Sequence, residues 1–443
     1  MADPQVERFL KERGVAVMDK VEMTVDGPAG KKNLTGLVMP RHSASGEDIL
    51  TLKLKNGYNL GISVSRITEL TVLEKAKEKA PSVLSVKTTP GLPAIHILST
   101  GGTIASYVDY RTGAVHPALD ASQLVAQVPE LLDICNVTSK ILMSKLSEDV
   151  TPSDWVVIAR AVKEAFDCGA AGVVIPHGTD TLGYTAAALS FMLKNLPGPV
   201  VLVGSQRSSD RPSSDATLNL LSAARVAACK DLFGVYVVMH GAPSDTYALI
   251  HSGVRVRKMH TSRRDAFASV NAKPVGKVQG DKVTVFVPSS SPIGKLELKD
   301  GIDPSALLVQ AQPGMTTEFL LSLKGKYRGL VISGSGLGHV GSHLQGALKE
   351  LISSGMLVLM TSQCLYGRVN MNVYSNGRQL LDLGVLPLGD CLPETALVKL
   401  MWVLGQTKDG VKAKELMLTD ISGEMSQGAD PDTFISQALP GGA

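Results

Sequence analysis

Several common signatures are missing from this chain, and each absence closes off a class of protein. The five cysteines, Cys135, Cys168, Cys229, Cys364 and Cys391, are odd in number, widely spaced and contain no Cys-x-x-Cys pair. That argues against a disulfide framework or a structural zinc site and predicts reduced, mostly buried thiols. Neither sign of charge dominates: 44 Lys plus Arg against 41 Asp plus Glu leave a net +3, so no global field draws the chain to nucleic acid or anionic membrane. Any RNA contact must therefore be a local patch. No apolar run approaches the roughly 18 residues of a membrane span. The opening segment mixes charges where a signal sequence would be basic and then apolar, which predicts a soluble, cytoplasmic protein with no membrane contact. There is no Gly-x-Ser-x-Gly elbow and no Walker P-loop, so neither a serine hydrolase of that type nor ATP binding by this chain is indicated.

What is present is 443 residues, 44% hydrophobic, 19% charged, with 43 glycines. At roughly 100 to 200 residues per domain this predicts two or three compact, turn-rich domains. Residues 1 to 13 read as a short helix, and residues 19–25, 34–39, 48–54 and 60–67 as short alternating strands, with Asn56-Gly57 at a hairpin turn. This predicts a small β-barrel over 1–80, with a lysine-rich helix near 72–79 at its end. A linker rich in proline and small polar residues follows at 81–93. From residue 94 apolar strands alternate with helices, the pattern of a mainly parallel sheet buried on both faces, which gives an α/β domain over 94–286. A second Pro/Ser-rich linker at 287–310 precedes a smaller α/β domain over 311–443.

Four segments put hydroxyl or charged residues directly after a strand or before a helix, where βα units bind ligands. In Ser99-Thr100-Gly101-Gly102-Thr103, the two glycines let backbone N–H groups approach a ligand beside the Thr103 hydroxyl; the plainer reading is a tight turn with a capping threonine. In His177-Gly178-Thr179-Asp180-Thr181 a hydroxyl adjoins a carboxylate, a pairing suited to amide chemistry. There Thr179 or Asp180 could instead cap the next helix, and His177 could be a satisfied loop histidine. Ser147 and Glu148 precede a helix capped by Thr151-Pro-Ser-Asp154; they could grip the charged end of an amino acid or form an exposed acidic cap. The basic stretch Arg255-Val-Arg257-Lys258 through Arg263-Arg264-Asp265 could be a solvated face, a phosphate patch or the source of one proton-transferring lysine. Two decoys are set aside. Gly336-Leu-Gly338-His-Val-Gly341 has no ribose-binding acid after the next strand, and His339 with His343 lacks a third metal ligand.

Taken in order, these segments resemble the asparaginase and glutaminase family of amidohydrolases that carry two catalytic threonines, over residues 94 to 439. The resemblance implies two asparaginase-like α/β domains behind the barrel, no metal and no cofactor in this chain. It implies Thr103 as nucleophile, Thr179, Asp180 and Lys258 as a second triad, and Gly102, Ser147 and Glu148 as substrate-holding groups. The family's loop tyrosine stands a dozen or so residues after the first threonine, where this chain has Val115 and His116; Tyr110 is the nearest candidate. Glu394 matches an acid that reaches the neighbouring subunit's substrate in a homodimer. Whether Lys258 is base or relay the residue types leave open.

Free-standing members begin near the first threonine loop, whereas about ninety residues precede it here. A barrel joined to such a body is similar to the glutaminase subunits of archaeal tRNA-dependent amidotransferases. That likeness implies glutamine as substrate and a homodimer within a heterotetramer. It also implies an amidotransferase partner, the E subunit, that holds ATP, Mg and tRNA(Gln) and receives the ammonia. The alternatives are a stand-alone L-asparaginase and a non-catalytic RNA-binding scaffold on an amidase fold.

Overall fold

The computed structural model describes residues 5–17, 19–27, 30–39, 48–54, 59–75, 88–101, 106–108, 115–117, 125, 128–207 and 214–434. Five antiparallel strands form the first sheet, in the spatial order Asn59–Ser63, Ile49–Leu54, Gly30–Met39, Lys20–Gly27 and Ile67–Glu74. Side chains alternate across a strand, so Val21, Met23, Leu50 and Leu52 share one face and bury it together with Val6 of the helix Gln5–Glu12. The two edge strands are consecutive in the chain and are joined only by the 3-10 turn Val64–Arg66. A flat sheet of five strands would hold its edges about 19 Å apart, whereas the four steps from Ser63 to Ile67 at about 2 Å each span only about 8 Å. The sheet therefore curls hard, helped by register slips in the pairing of Lys20–Gly27 with Ile67–Glu74. Among the described residues no ladder joins the edges, so the expected barrel is a curled, open sheet. The lysine-rich helix expected near 72–79 is not formed over its first residues, because Ile67–Glu74 continues as strand; most of the rest lies outside the described residues.

The second sheet has eight strands. Its first five in chain order are Ala94–Gly101, Asn136–Lys145, Gly172–Pro176, Pro199–Val203 and Gly234–His240; they run parallel in the spatial order second, first, third, fourth, fifth. Gly172–Pro176 and Pro199–Val203 are buried at every position, because helices cover both faces. Pro152–Asp167 and Leu182–Met192 share one core with them, and Ala216–Ala227 lies in the other. In this strand order the chain leaves the first strand for opposite sides, so a crevice opens between the carboxyl ends of the first and third strands. Those ends are Gly101 and Pro176, the residues that lead into the two threonine loops.

Three antiparallel strands, Ala248–Ser252, Gly276–Gln279 and Lys282–Val285, complete the sheet. His251 in the first of them is fully buried, with Nδ1 2.8 Å from Ser269 Oγ. Burial pushes its pKa from the ordinary 6.5 down to about 4. Between those values the unfolded chain binds a proton that the folded chain refuses, so His251 favours folding fully above the ordinary value. On acidification through this window the advantage is lost, by about 3 kcal/mol. Urea midpoints of the natural chain and His251→Gln, measured from pH 7 to 4, should converge as the pH falls; parallel curves would refute this.

The third sheet is all parallel and runs in chain order: Ala306–Gln310, Gly329–Gly334, Leu357–Ser362 and Leu386–Pro387. Its helix Pro393–Gln406 packs across the seam onto Leu182–Met192, with Trp402 stacked on Phe191 at 6.0 Å between ring centroids. The same helix carries Lys399, which is fully buried and ion-paired to Glu424 at 2.6 Å. Lys399 also donates to the carbonyls of Met417 and Thr419, while Glu424 accepts from the N–H groups of Ile421 and Ser422. Every polar group of the pair is thereby occupied.

Candidate active site

The carboxyl ends of the first three strands of the large sheet converge with the loops after the second and third, and two glycines permit it. Gly101 has φ +109°, and a Cβ there would lie 2.5 Å from the Lys145 carbonyl oxygen. A Cβ on Gly178 would lie 2.7 Å from Ser147 Cβ, so any side chain at 178 would push the two loops apart. Polar bonds then pin the loops. Thr100 Oγ1 donates to the Pro176 carbonyl at 2.9 Å, and Thr181 Oγ1 donates to the Ser147 carbonyl at 2.5 Å.

Thr179 and Asp180 do not cap the helix that follows them. The cap position belongs to Thr181, and the Asp180 carboxylate turns to Lys258 instead. Lys258 Nζ donates to Thr179 Oγ1 at 2.8 Å and to Asp180 Oδ1 at 2.7 Å. The lysine side chain is 15% exposed and that of Asp180 66%, so the contact is dry on the amine side and open to solvent on the carboxylate side. The three groups are thus brought together from positions almost eighty residues apart in the chain. His177 takes the plainer of its two readings: it is buried, with Nδ1 against the Gly178 carbonyl and Nε2 against Thr185 Oγ1, and burial lowers its pKa. Thr185 in turn accepts from Trp155 Nε1, so the ring is held as a neutral scaffold piece.

Ser147 begins a 3-10 turn with Glu148, and its Oγ lies 3.4 Å from Glu148 Oε2 and 3.5 Å from Asp180 Oδ2. A serine hydroxyl between two carboxylates, next to a half-dry lysine, suits the ammonium end of an amino acid. Gly102, Thr103 and Tyr110 lie outside the described residues. Glu394, expected to serve a neighbouring subunit, lies on the wall of this chain's own cavity, with Oε1 3.4 Å from Arg257 Nε. That cavity, of about 300 Å³, also borders Thr179, Asp180 and Lys258, and its far wall includes Gln310, Ser333 and Gln363. Sequence reasoning missed those three, yet they end or adjoin the strands Ala306–Gln310, Gly329–Gly334 and Leu357–Ser362, and the strand-end rule would have found them.

The basic stretch is not a phosphate patch. Arg255, Arg257, Arg263 and Arg264 face Asp390, Glu394, Asp265 and Asp245 respectively, so each guanidinium already has a carboxylate. Both decoys are structural. Gly336 and Gly338 take positive φ in a turn closed by a Ser335–His339 bridge. His339 packs on Tyr374, while His343 Nε2 bonds the Met315 carbonyl.

Residues 94–290 match the N-terminal asparaginase family and residues 307–417 the glutaminase/asparaginase C-terminal domain. The chain belongs to the asparaginase and glutaminase family. The family's body is preceded here by a match to the GatD N-terminal domain at residues 15–73. Among relatives of the same length, the D subunit of glutamyl-tRNA(Gln) amidotransferase from Pyrococcus furiosus is 50% identical over 437 residues, covering 97% of this chain and all of that one. Its counterpart of the same name from Metallosphaera sedula is 47% identical over 430 residues, covering 96% of each. Among solved structures, the thermostable L-asparaginase of Thermococcus kodakarensis superposes with a TM-score of 0.69 at 36% identity. That asparaginase is covered completely, but only 76% of this chain is. No helix among the described residues is long and apolar enough to cross a membrane.

Proposed function

We propose that this chain hydrolyses glutamine to glutamate and ammonia in the cytoplasm and passes the ammonia to a partner subunit, which converts Glu-tRNA(Gln) to Gln-tRNA(Gln). The observation that carries this reading is the whole-length likeness to D subunits of glutamyl-tRNA(Gln) amidotransferase, N-terminal module included, where a free asparaginase matches only the remainder. ATP and Mg belong to the partner, the E subunit, which also takes most of the tRNA contact. This chain needs no cofactor and works as a homodimer within a heterotetramer.

In the reaction a threonine Oγ, that of Thr103 by the family resemblance, attacks the side-chain amide carbon of glutamine, with Tyr110 as the nearest candidate for the family's loop tyrosine to assist it. Its proton passes to the amide nitrogen as the C–N bond breaks, ammonia leaves and a glutamyl ester remains. Water then cleaves the ester. A bare threonine hydroxyl is a poor nucleophile near neutrality, so a neighbouring proton carrier has to supply the acceleration. The Lys258–Thr179–Asp180 contact is suited to that work: the amine can exchange a proton through Thr179 Oγ1, and Asp180 holds the amine in place. Ser147, Glu148 and Asp180 bind the amino-acid end of glutamine, and Gly102 is a further substrate-holding residue by the family resemblance.

Ammonia release from glutamine and from asparagine tests the reading, with the chain alone, with its coexpressed partner, and with partner plus mischarged glutamyl-tRNA. Glutamine hydrolysis that rises with partner and tRNA is the expected result. Strong asparagine hydrolysis by the chain alone would instead identify a free asparaginase, the reading that the Thermococcus kodakarensis structure favours.

A further inference from the structure

Lys258 ends a strand of only three residues, Val256–Lys258, which among the described residues pairs solely with Phe267–Ser269 and stands apart from the eight-stranded sheet. A two-stranded ladder this short does not fix an amine by itself. Lys258 reaches Thr179, while Arg255 and Arg257 pair with Asp390 and Glu394 of the small domain. That domain grips the segment at three places. The Val254 carbonyl accepts from Thr395 Oγ1 at 3.1 Å, and Arg257 meets Glu394 at 3.4 Å. Between them, buried Arg255 donates from Nη1 to Asp390 Oδ2 at 3.0 Å and from Nε to the Gly423 carbonyl at 2.7 Å. Asp390 is held in turn by the Ser426 N–H at 2.8 Å.

Asp390, Glu394 and Thr395 cluster at the start of helix Pro393–Gln406, the same helix whose Trp402 stacks on Phe191. Phe191 lies in Leu182–Met192, which begins two residues after Asp180. One helix of the small domain thus supports both sides of the lysine–threonine contact.

We propose that the small domain sets the reach of Lys258, with Asp390 and Glu394 as positioning residues that act through Arg255 and Arg257. The proposal rests on Lys258 belonging to the hydrolytic machinery, and it gives Glu394 a supporting task rather than a hold on the substrate. A misplacement of about 1 Å can slow a reaction roughly 10²-fold, so the support governs turnover.

The test uses the full chain with its partner and reads kcat and KM for ammonia release from glutamine and asparagine. Glu394→Gln should lower kcat about tenfold on whichever amide is used, with KM within about twofold. Arg257→Lys, which keeps a positive charge opposite Glu394, should retain most of kcat. Asp390→Asn should lower kcat further; because it breaks a buried pair it can also unfold the chain, so the less deeply buried Glu394 pair decides. An unchanged kcat, or a KM raised several-fold, in Glu394→Gln overturns the proposal. If the natural chain releases ammonia from neither amide, the proposed function fails instead, and the crystal structure of Glu394→Gln decides this question. Lys258 Nζ still 2.8 Å from Thr179 Oγ1 would overturn positioning, and a displaced amine would support it.

Discussion

Thr179→Ala and Lys258→Ala should each cut ammonia release by roughly 10² to 10⁴ while leaving a folded chain. Each removes one end of a single 2.8 Å contact, so the double variant should be little worse than either alone. Thr103→Ala should abolish release altogether, because it removes the proposed nucleophile. Stability should hardly change, since Thr179 is partly exposed and Lys258 keeps access to solvent along Asp180. A colorimetric ammonia assay beside a thermal melt separates the two effects; normal turnover in any of these variants would end the two-threonine mechanism. The same variants address the scaffold alternative. With all four arginines of the basic stretch already paired to carboxylates, loss of Lys258 alone would barely change an RNA-binding surface.

The second large effect is on stability. Glu424→Gln should destabilise the fold by about 3 to 5 kcal/mol, because it strands the buried ammonium of Lys399 without its partner. Replacing both, as Lys399→Met with Glu424→Leu, should cost less than the single change because no charge is left buried; its remaining cost is the partners lost by the Met417 and Thr419 carbonyls and the Ile421 and Ser422 N–H groups. Burial opposes the Glu424 carboxylate, but Lys399 and the Ser422 N–H outweigh it and hold the carboxyl below its ordinary range. The pair's contribution is therefore complete above that ordinary range and disappears as pH falls through the lowered value. Denaturant midpoints of the single and double variants near neutral pH and in mild acid would check both statements; equal losses in the single and double variants would contradict them.

Much of the site is legible because its chemistry is local in sequence. Thr179 and Asp180 follow an apolar run that can only be a buried strand, and Gly101 and Gly178 sit where loops must nearly touch. The switch-point order of the strands then brings those loops together. Lys258 is reached only through family resemblance, since nothing local marks one lysine in a basic run as the one that bends toward a carboxylate almost eighty residues away. The pairing of Arg255 with Asp390 spans 135 residues, and no local pattern encodes it. Nor is the curl of the N-terminal sheet readable strand by strand. It follows from a three-residue turn that joins opposite edges, which becomes visible only once the pairing order is known.

The knot around Asp390 also dates the onset of activity during synthesis. Domains fold as they leave the ribosome, amino-terminal ones first, so Thr179, Asp180 and Lys258 emerge early. Asp390, Gly423 and Ser426, which hold the strand of Lys258, emerge among the last residues. A nascent chain thus carries the reactive groups but lacks their brace. On the proposed function, hydrolysis would then begin only when the polypeptide is nearly whole.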